Sequence, residues 1–189
     1  MALDWKQQAI EQLEFHWNMA LRPRLEGLTD EEYLWEPAVG CWSVRPRGEA
    51  VTAMAMGQGD LVVDWDRPEP DPAPVTTIAW RIAHVACGVF GMRAANHFGE
   101  GGMDYDTVEW SGTAAGGVTF LDEQHARWID GVRSLDDVGM AAPVGPTEGP
   151  WADAPMAGLV LHINREAIHH GAEIALLRDL YAQRQESGR

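Results

Sequence analysis

A chain of 189 residues, 46% apolar and 23% charged, has the length of one domain (1–189) and can bury a core without disulfide staples. Its 29 acidic residues against 14 basic ones leave a net charge of −15 with no basic stripe, which excludes nucleic acid as a partner class. No apolar run reaches the roughly 18 residues of a membrane span, and the acidic, amphipathic opening MALDWKQQAIEQLEFHW does not read as a secretory signal, so no membrane association and a cytoplasmic location are expected.

The first helix is predicted from about Leu3 to Leu25, where Ile10, Leu13, Trp17, Ala20, Leu21 and Leu25 recur three or four apart. Pro23 should bend or end it. A helical turn follows at Thr29 to Trp35, opened by the capping-box pattern of Thr29 and Glu32. From Pro37 to Val75 the periodicity breaks. Asp66 to Val75 must be extended or turn-like, and Asp60 to Asp66 suits a short strand or an irregular loop. So long a connection between the first and second main helices is often functional, here as a lid over one end of the fold.

The second main helix starts at Thr76 or Thr77 and runs through TIAWRIAHVACGVFGMRAANHF, with Gly88 and Gly91 offering a face that another helix can approach closely. The third covers about Val118 to Ser134, behind the glycine-rich stretch Gly112 to Gly117. The fourth has Asp153 as cap and Pro155 in its first turn and persists to about Arg184, some 45 Å of helix at 1.5 Å per residue. Four amphipathic helices with few strand signals give an all-α class and an antiparallel four-helix bundle. Cys41 and Cys87 fit reduced, small hydrophobes, since neither lies in a CxxC pair.

The chemistry concentrates on the fourth helix. Steps of 4, 3, 4, 3 and 4 residues from Ile163 land on Ala167, His170, Ile174, Leu177 and Tyr181, so an imidazole occupies a core-facing position. Glu166 stands four residues before it on nearly the same face. A buried carboxylate and imidazole must be satisfied, either by each other or by a metal ion held by an i, i+4 pair. A third ligand has to come from another helix. His84, mid-helix among apolar residues with Trp80 and Gly88 on its face, is the candidate, although a histidine so placed also suits a satisfied core. His162 lies about 80 degrees from His170 around the helix and reads as a supporting or surface residue. His169 points about 100 degrees away, and His16, His97 and His125 have no partner at ligand spacing.

His84 in IAWRIAHV, followed far downstream by REAIHHGAEIALLRDLY, resembles the DinB/YfiT-like superfamily. That resemblance implies a four-helix bundle of metalloenzymes with one ligand from the second helix and two from the last. The usual His-x-x-x-His of the last helix is matched by His170 at its second position, while Glu166 takes the first. This variant is similar to the one in mycothiol-dependent maleylpyruvate isomerase. Trp42 and Ser43 resemble the family's Trp-Ser step, but residues 44–75 intervene before the ligand helix, a specialised insertion.

Two histidines and a glutamate leave a coordination position open, as catalytic zinc sites do. The set also accepts nickel, iron, cobalt or manganese, with zinc or nickel the first expectation. The resemblance implies a transferase or isomerase that joins a low-molecular-weight thiol such as mycothiol or bacillithiol to a small electrophile. Under it, Trp42, Trp80 and Trp151 can wall an apolar substrate and Arg45, Arg47 or Arg81 can hold a carboxylate, although each also suits a structural role. Metal-dependent hydrolysis, with His162 or Glu173 as base, and a non-catalytic metal-binding bundle are the alternatives. A homodimer is plausible for the family.

Overall fold

Asp4 accepts a hydrogen bond from the backbone N–H of Gln7 and so starts the first helix. The computed structural model describes residues 3–187. Helix α1 (Trp5–His16) continues through a π-helical turn (Trp17–Leu21) and a 3-10 turn (Arg22–Leu25), where Pro23 brings it to its end. Thr29 then caps α2 (Asp30–Tyr33). Glu32 does not close the expected reciprocal cap. It is buried and takes a forked pair from Arg178, Nε to Oε1 at 2.7 Å and the terminal nitrogen to Oε2 at 3.0 Å.

The second long stretch comprises α3 (Ile78–Ala83), a π-helical segment (His84–Gly91) and α4 (Met92–Phe98). The third is α5 (Ala114–Ser134). It begins four residues before the expected start because Thr113 caps it by accepting from Gly116 N–H, which draws Gly116 and Gly117 into the helix. After the short α6 (Asp137–Ala141) comes α7 (Met156–Ser187). Asp153 does not cap α7. The Met156 N–H donates to Ala142 O while the Pro155 carbonyl accepts from Gly158 and Leu159, so the helix starts after a backbone bridge of Pro155 to Pro143.

The chain is mostly helical, and these four stretches pack on one another in a definite sense. Ala9 meets Asn164, His16 meets Gly171 and Arg24 meets Ala175, so α1 and α7 run in the same direction. Phe90 meets His125 and Phe98 meets Gly131, so the second stretch and α5 also run parallel. The two parallel pairs oppose each other: Arg22 pairs with Asp122 and Lys6 with Leu135 O. A plain antiparallel succession of neighbours was expected. The long connections allow the parallel neighbours, which short loops forbid.

The segment expected to be irregular is anchored at both ends. Trp42 N–H donates to Val75 O and Thr77 N–H to Trp42 O, each at 2.9 Å, so residues 44–75 leave and return at one point. Within it β1 (Val44–Pro46) pairs antiparallel with β2 (Leu61–Val63) in the register Val44 to Val63, Arg45 to Val62 and Pro46 to Leu61. Asp64, fully buried, accepts from Ser43 N–H (3.0 Å), Val51 N–H (3.0 Å) and Arg45 Nε (2.7 Å). Cys41 and Cys87 are both free and buried. Among the described residues no helix is long and apolar enough to cross a membrane.

Candidate metal centre and cavity

Thr77 sets the register of the second stretch by accepting from Trp80 N–H, and from there Trp80, His84 and Gly88 share one face. His84 opens the π-helical segment, a distortion that often accompanies functional positions. Opposite it, the predicted stripe of α7 is buried throughout: Ile163, Ala167, His170, Ile174, Leu177 and Tyr181 all face the core. The two helices cross so that the His84 and His170 rings meet edge to face, centroids 4.8 Å apart. Glu166 Oε2 stands 3.6 Å from His170 Nε2.

Each imidazole is held from behind. His84 Nδ1 lies 2.8 Å from the Tyr105 hydroxyl, and the His84 ring stacks on Trp80 at 5.2 Å. His170 Nδ1 lies 2.7 Å from Glu173 Oε2, which Arg81 Nε also reaches at 3.0 Å. Arg81 itself comes within 3.4 Å of the same ring nitrogen, but the shorter carboxylate contact assigns the His170 proton to Nδ1. That leaves Nε2 with its lone pair on the Glu166 side. Burial, helped by His170 and by the charges of Arg81 and Arg93, pushes the His84 pKa down to about 3. Burial likewise lowers that of His170, against the opposing effect of the hydrogen bond that its ring donates to Glu173. Both rings are therefore neutral at pH 7, the form that binds cations. Burial raises the Tyr105 pKa, so its hydroxyl keeps its proton.

A second donor set shares His170. The ligand atoms of His169, His170 and Glu173 lie within 4.8 Å of one another and could hold a metal, whereas among the described residues those of His84, Glu166 and His170 do not all come so close. The two sets differ in surroundings. The His169 side chain is 64% exposed, and Glu173 is already engaged by Arg81 and by His170 Nδ1. His84 and Glu166, by contrast, line a cavity of about 600 Å³.

The cavity lies between the second stretch, α7, the 44–75 segment and the connection after α4. Met54, Met56, Trp65 and Met92 give it apolar walls, while Arg67, Arg93, Asp104 and His162 add polar ones. The 44–75 segment thus forms a wall of the site. Trp42, Trp80 and Arg81, expected to touch substrate, are not among its lining residues. Trp80 is buried, donating from Nε1 to Asp64 O at 2.7 Å, and its ring forms a cluster with those of Trp65 and His84, which also contact each other at 6.4 Å. Trp42 packs against Trp65 and Trp80, and Arg81 lies over Trp80 while pairing with Glu173. Trp151 is 72% exposed, Arg45 is committed to Asp64 and Glu36, and Arg47 to the Gly57 and Gly59 carbonyls. His162 is half-exposed and sits 3.7 Å from Glu166 Oε1.

A family model of the DinB superfamily matches residues 12–174. The chain belongs to the DinB superfamily. That superfamily includes metal-dependent enzymes, and its match here takes in His84, Glu166, His169, His170 and Glu173. No curated protein and no solved structure matches the chain.

Sequence reasoning missed Tyr105 and Trp65 and considered Glu173 only as a base. Glu173 was accessible from its i+3 spacing to His170. Tyr105 was signalled only by the local pattern of Asp104 and Thr107, which cap each other around a 3-10 turn (Tyr105–Thr107). Gly88 and Gly91 do admit a close neighbour, but chiefly the 99–113 connection. A Cβ on Gly88 would overlap the Tyr105 hydroxyl, and one on Gly91 the Met103 sulfur.

Proposed function

We propose that this protein is a cation-dependent S-transferase that joins a low-molecular-weight thiol, such as mycothiol, to a small electrophile. We read the fold as one four-helix-bundle domain with residues 44–75 as an insertion that walls the site. The observation that supports this reading is a chain of pairwise contacts, the His84 ring edge to face on the His170 ring and Glu166 Oε2 3.6 Å from His170 Nε2, beside a cavity of about 600 Å³ that His84 and Glu166 line, large enough for a small molecule.

The donors suit a divalent cation. They are two neutral imidazoles and a carboxylate, with the outer nitrogen of each ring engaged by Tyr105 or Glu173, as ligand histidines usually are. Zinc or nickel fits such a set, and when bound supplies a positive charge that lowers the pKa of a thiol or water. The remaining work falls to the chain. Met54, Met56, Trp65 and Met92 take up an apolar electrophile, and Arg67 and Arg93 offer charge to a carboxylate of the thiol. In the transfer, a C–S bond forms as the bond to the leaving group breaks. The leaving group departs with the electron pair, and the thiol proton passes to solvent.

His162 beside Glu166 on the cavity wall supports a second reading, hydrolysis with water as the nucleophile and His162 as base. One experiment separates the two. Protein loaded with zinc or nickel is incubated with a bimane or chlorinated electrophile, with and without thiols, and products are followed by mass spectrometry. A conjugate that needs both thiol and metal supports transfer. Product without thiol supports hydrolysis. Metal binding with no product under either condition overturns both.

A further inference from the structure

We infer that Tyr105 is a positioning residue for His84: its hydroxyl accepts from the ring Nδ1–H and so fixes the tautomer that leaves Nε2 free as a donor. This deepens the cation reading given above and rests on it only for the role of Nε2.

The contact is built rather than incidental. Tyr105 is 7% exposed and reaches His84 from a different part of the chain, the connection between α4 and α5, with 2.8 Å between hydroxyl oxygen and Nδ1. Its backbone is pinned by the mutual capping of Asp104 and Thr107. Its ring is packed against Trp65 at 5.2 Å and Trp110 at 5.8 Å, and Trp110 is fixed in turn by a hydrogen bond to Met56 O. The hydroxyl has room to approach only because Gly88, one turn beyond His84, lacks a side chain.

Two hydrogen-bond directions satisfy the distance. If the hydroxyl donated, the proton of the neutral ring would sit on Nε2 and block it as a donor to a cation. His170 makes the same choice on its own side, its Nδ1 proton going to Glu173 and its Nε2 lone pair inward. With an acceptor oxygen behind each ring, both Nε2 atoms keep their lone pairs, that of His170 on the Glu166 side. This arrangement also leaves the Tyr105 proton for an acceptor in the cavity that Tyr105 lines.

The test uses the full-length, metal-free protein labelled with ¹⁵N. Two-bond ¹H–¹⁵N spectra report which ring nitrogen of His84 carries the proton, the signals being assigned by their loss in His84→Gln. Wild type should show the Nδ1–H form, and Tyr105→Phe should lose that preference. Zinc affinity, measured by competition with a chromogenic chelator, should fall about 10- to 100-fold in Tyr105→Phe, the range for loss of a ligand's hydrogen-bond partner. Gly88→Ala, which displaces the hydroxyl without removing it, should shift the tautomer in the same sense. A wild-type ring protonated at Nε2, or a tautomer unchanged in Tyr105→Phe, overturns the inference. Zinc binding that is absent in wild type overturns the cation reading alone, because the ring spectra are recorded without metal.

Discussion

Glu173 Oε2 stands 2.7 Å from His170 Nδ1 and 3.0 Å from Arg81 Nε, so one carboxylate links the last helix to the second and orients the imidazole they share. The same carboxylate, with His169, completes the alternative donor set. The two arrangements make opposite predictions. With the cation at His84, Glu166 and His170, Glu166→Ala removes a ligand, Glu173→Gln weakens zinc binding about 10- to 100-fold, and His169→Ala leaves it unchanged. With the cation at His169, His170 and Glu173, His169→Ala is severe and Glu166→Ala is mild. Zinc titrations of these variants decide between them, and we expect the first pattern.

Asp64 is the keystone of the 44–75 segment. It is fully buried and holds two backbone N–H groups and the Arg45 side chain, which is itself only 14% exposed. Asp64→Ala leaves a guanidinium and two amides without their partner, a change that typically costs 3–5 kcal/mol for a buried ion pair broken on one side. Chemical denaturation should show about that loss. Asp64→Asn should lose less, because it keeps one acceptor. Trp65 and the neighbouring cavity wall follow Asp64 directly in sequence, so ligand binding should weaken in both variants.

The helices and the inward face of α7 were legible because each rests on a local, repeated signal. The spacing that placed His170 on the Ile163 to Tyr181 stripe, and the cap at Thr77, need nothing beyond a few neighbouring residues. The direction of the helices was not legible, since periodicity is the same read up or down and the connections are long enough for either. Nor was Tyr105. Its contact with His84 spans 21 positions through a glycine-rich connection, and only the fold brings them together. Trp80 shows the converse error. A tryptophan on the His84 face suggested a substrate wall, but its indole N–H is consumed by the Asp64 carbonyl and its buried ring packs against Trp42, Trp65 and His84.

Glycine substitutions in two helices should have opposite signs. A Cβ on Gly131 of α5 would overlap the Phe98 ring, which packs on Trp128 in the core. Overpacking costs about 1–3 kcal/mol, against a helix-propensity gain of about 1 kcal/mol from glycine to alanine. Gly131→Ala should therefore be neutral at best and destabilising by up to about 2 kcal/mol by that difference. Gly158, in the first turn of α7, is exposed, and a Cβ there would meet nothing nearer than 3.9 Å. Gly158→Ala should raise stability by about 0.5–1 kcal/mol. Urea midpoints of the two variants check both signs at once.

His125 makes stability depend on acid. Its ring lies face to face on Trp17, centroids 3.7 Å apart and planes within 1°, with Phe90 edge-on at 5.5 Å and Nε2 buried without a hydrogen-bond partner among the described residues. Of the charged groups, Arg133 disfavours protonation and Asp130 favours it. Burial is the largest influence and pushes the pKa down to about 4. The unfolded chain takes up a proton at this residue near pH 6.5, and the folded one only near pH 4. Stability is therefore complete above pH 6.5 and is lost as pH falls between those values, by up to about 3 kcal/mol from this group. His16, His84 and His170, also shifted down by burial, act in the same sense. His125→Phe keeps an aromatic ring against Trp17 but removes the titrating nitrogens. Denaturation of the metal-free protein at pH 7 and pH 5 should show a smaller loss in His125→Phe than in wild type. An equal loss in both proteins would mean that the folded chain admits a proton at His125 as readily as the unfolded chain does, against the packing of its ring.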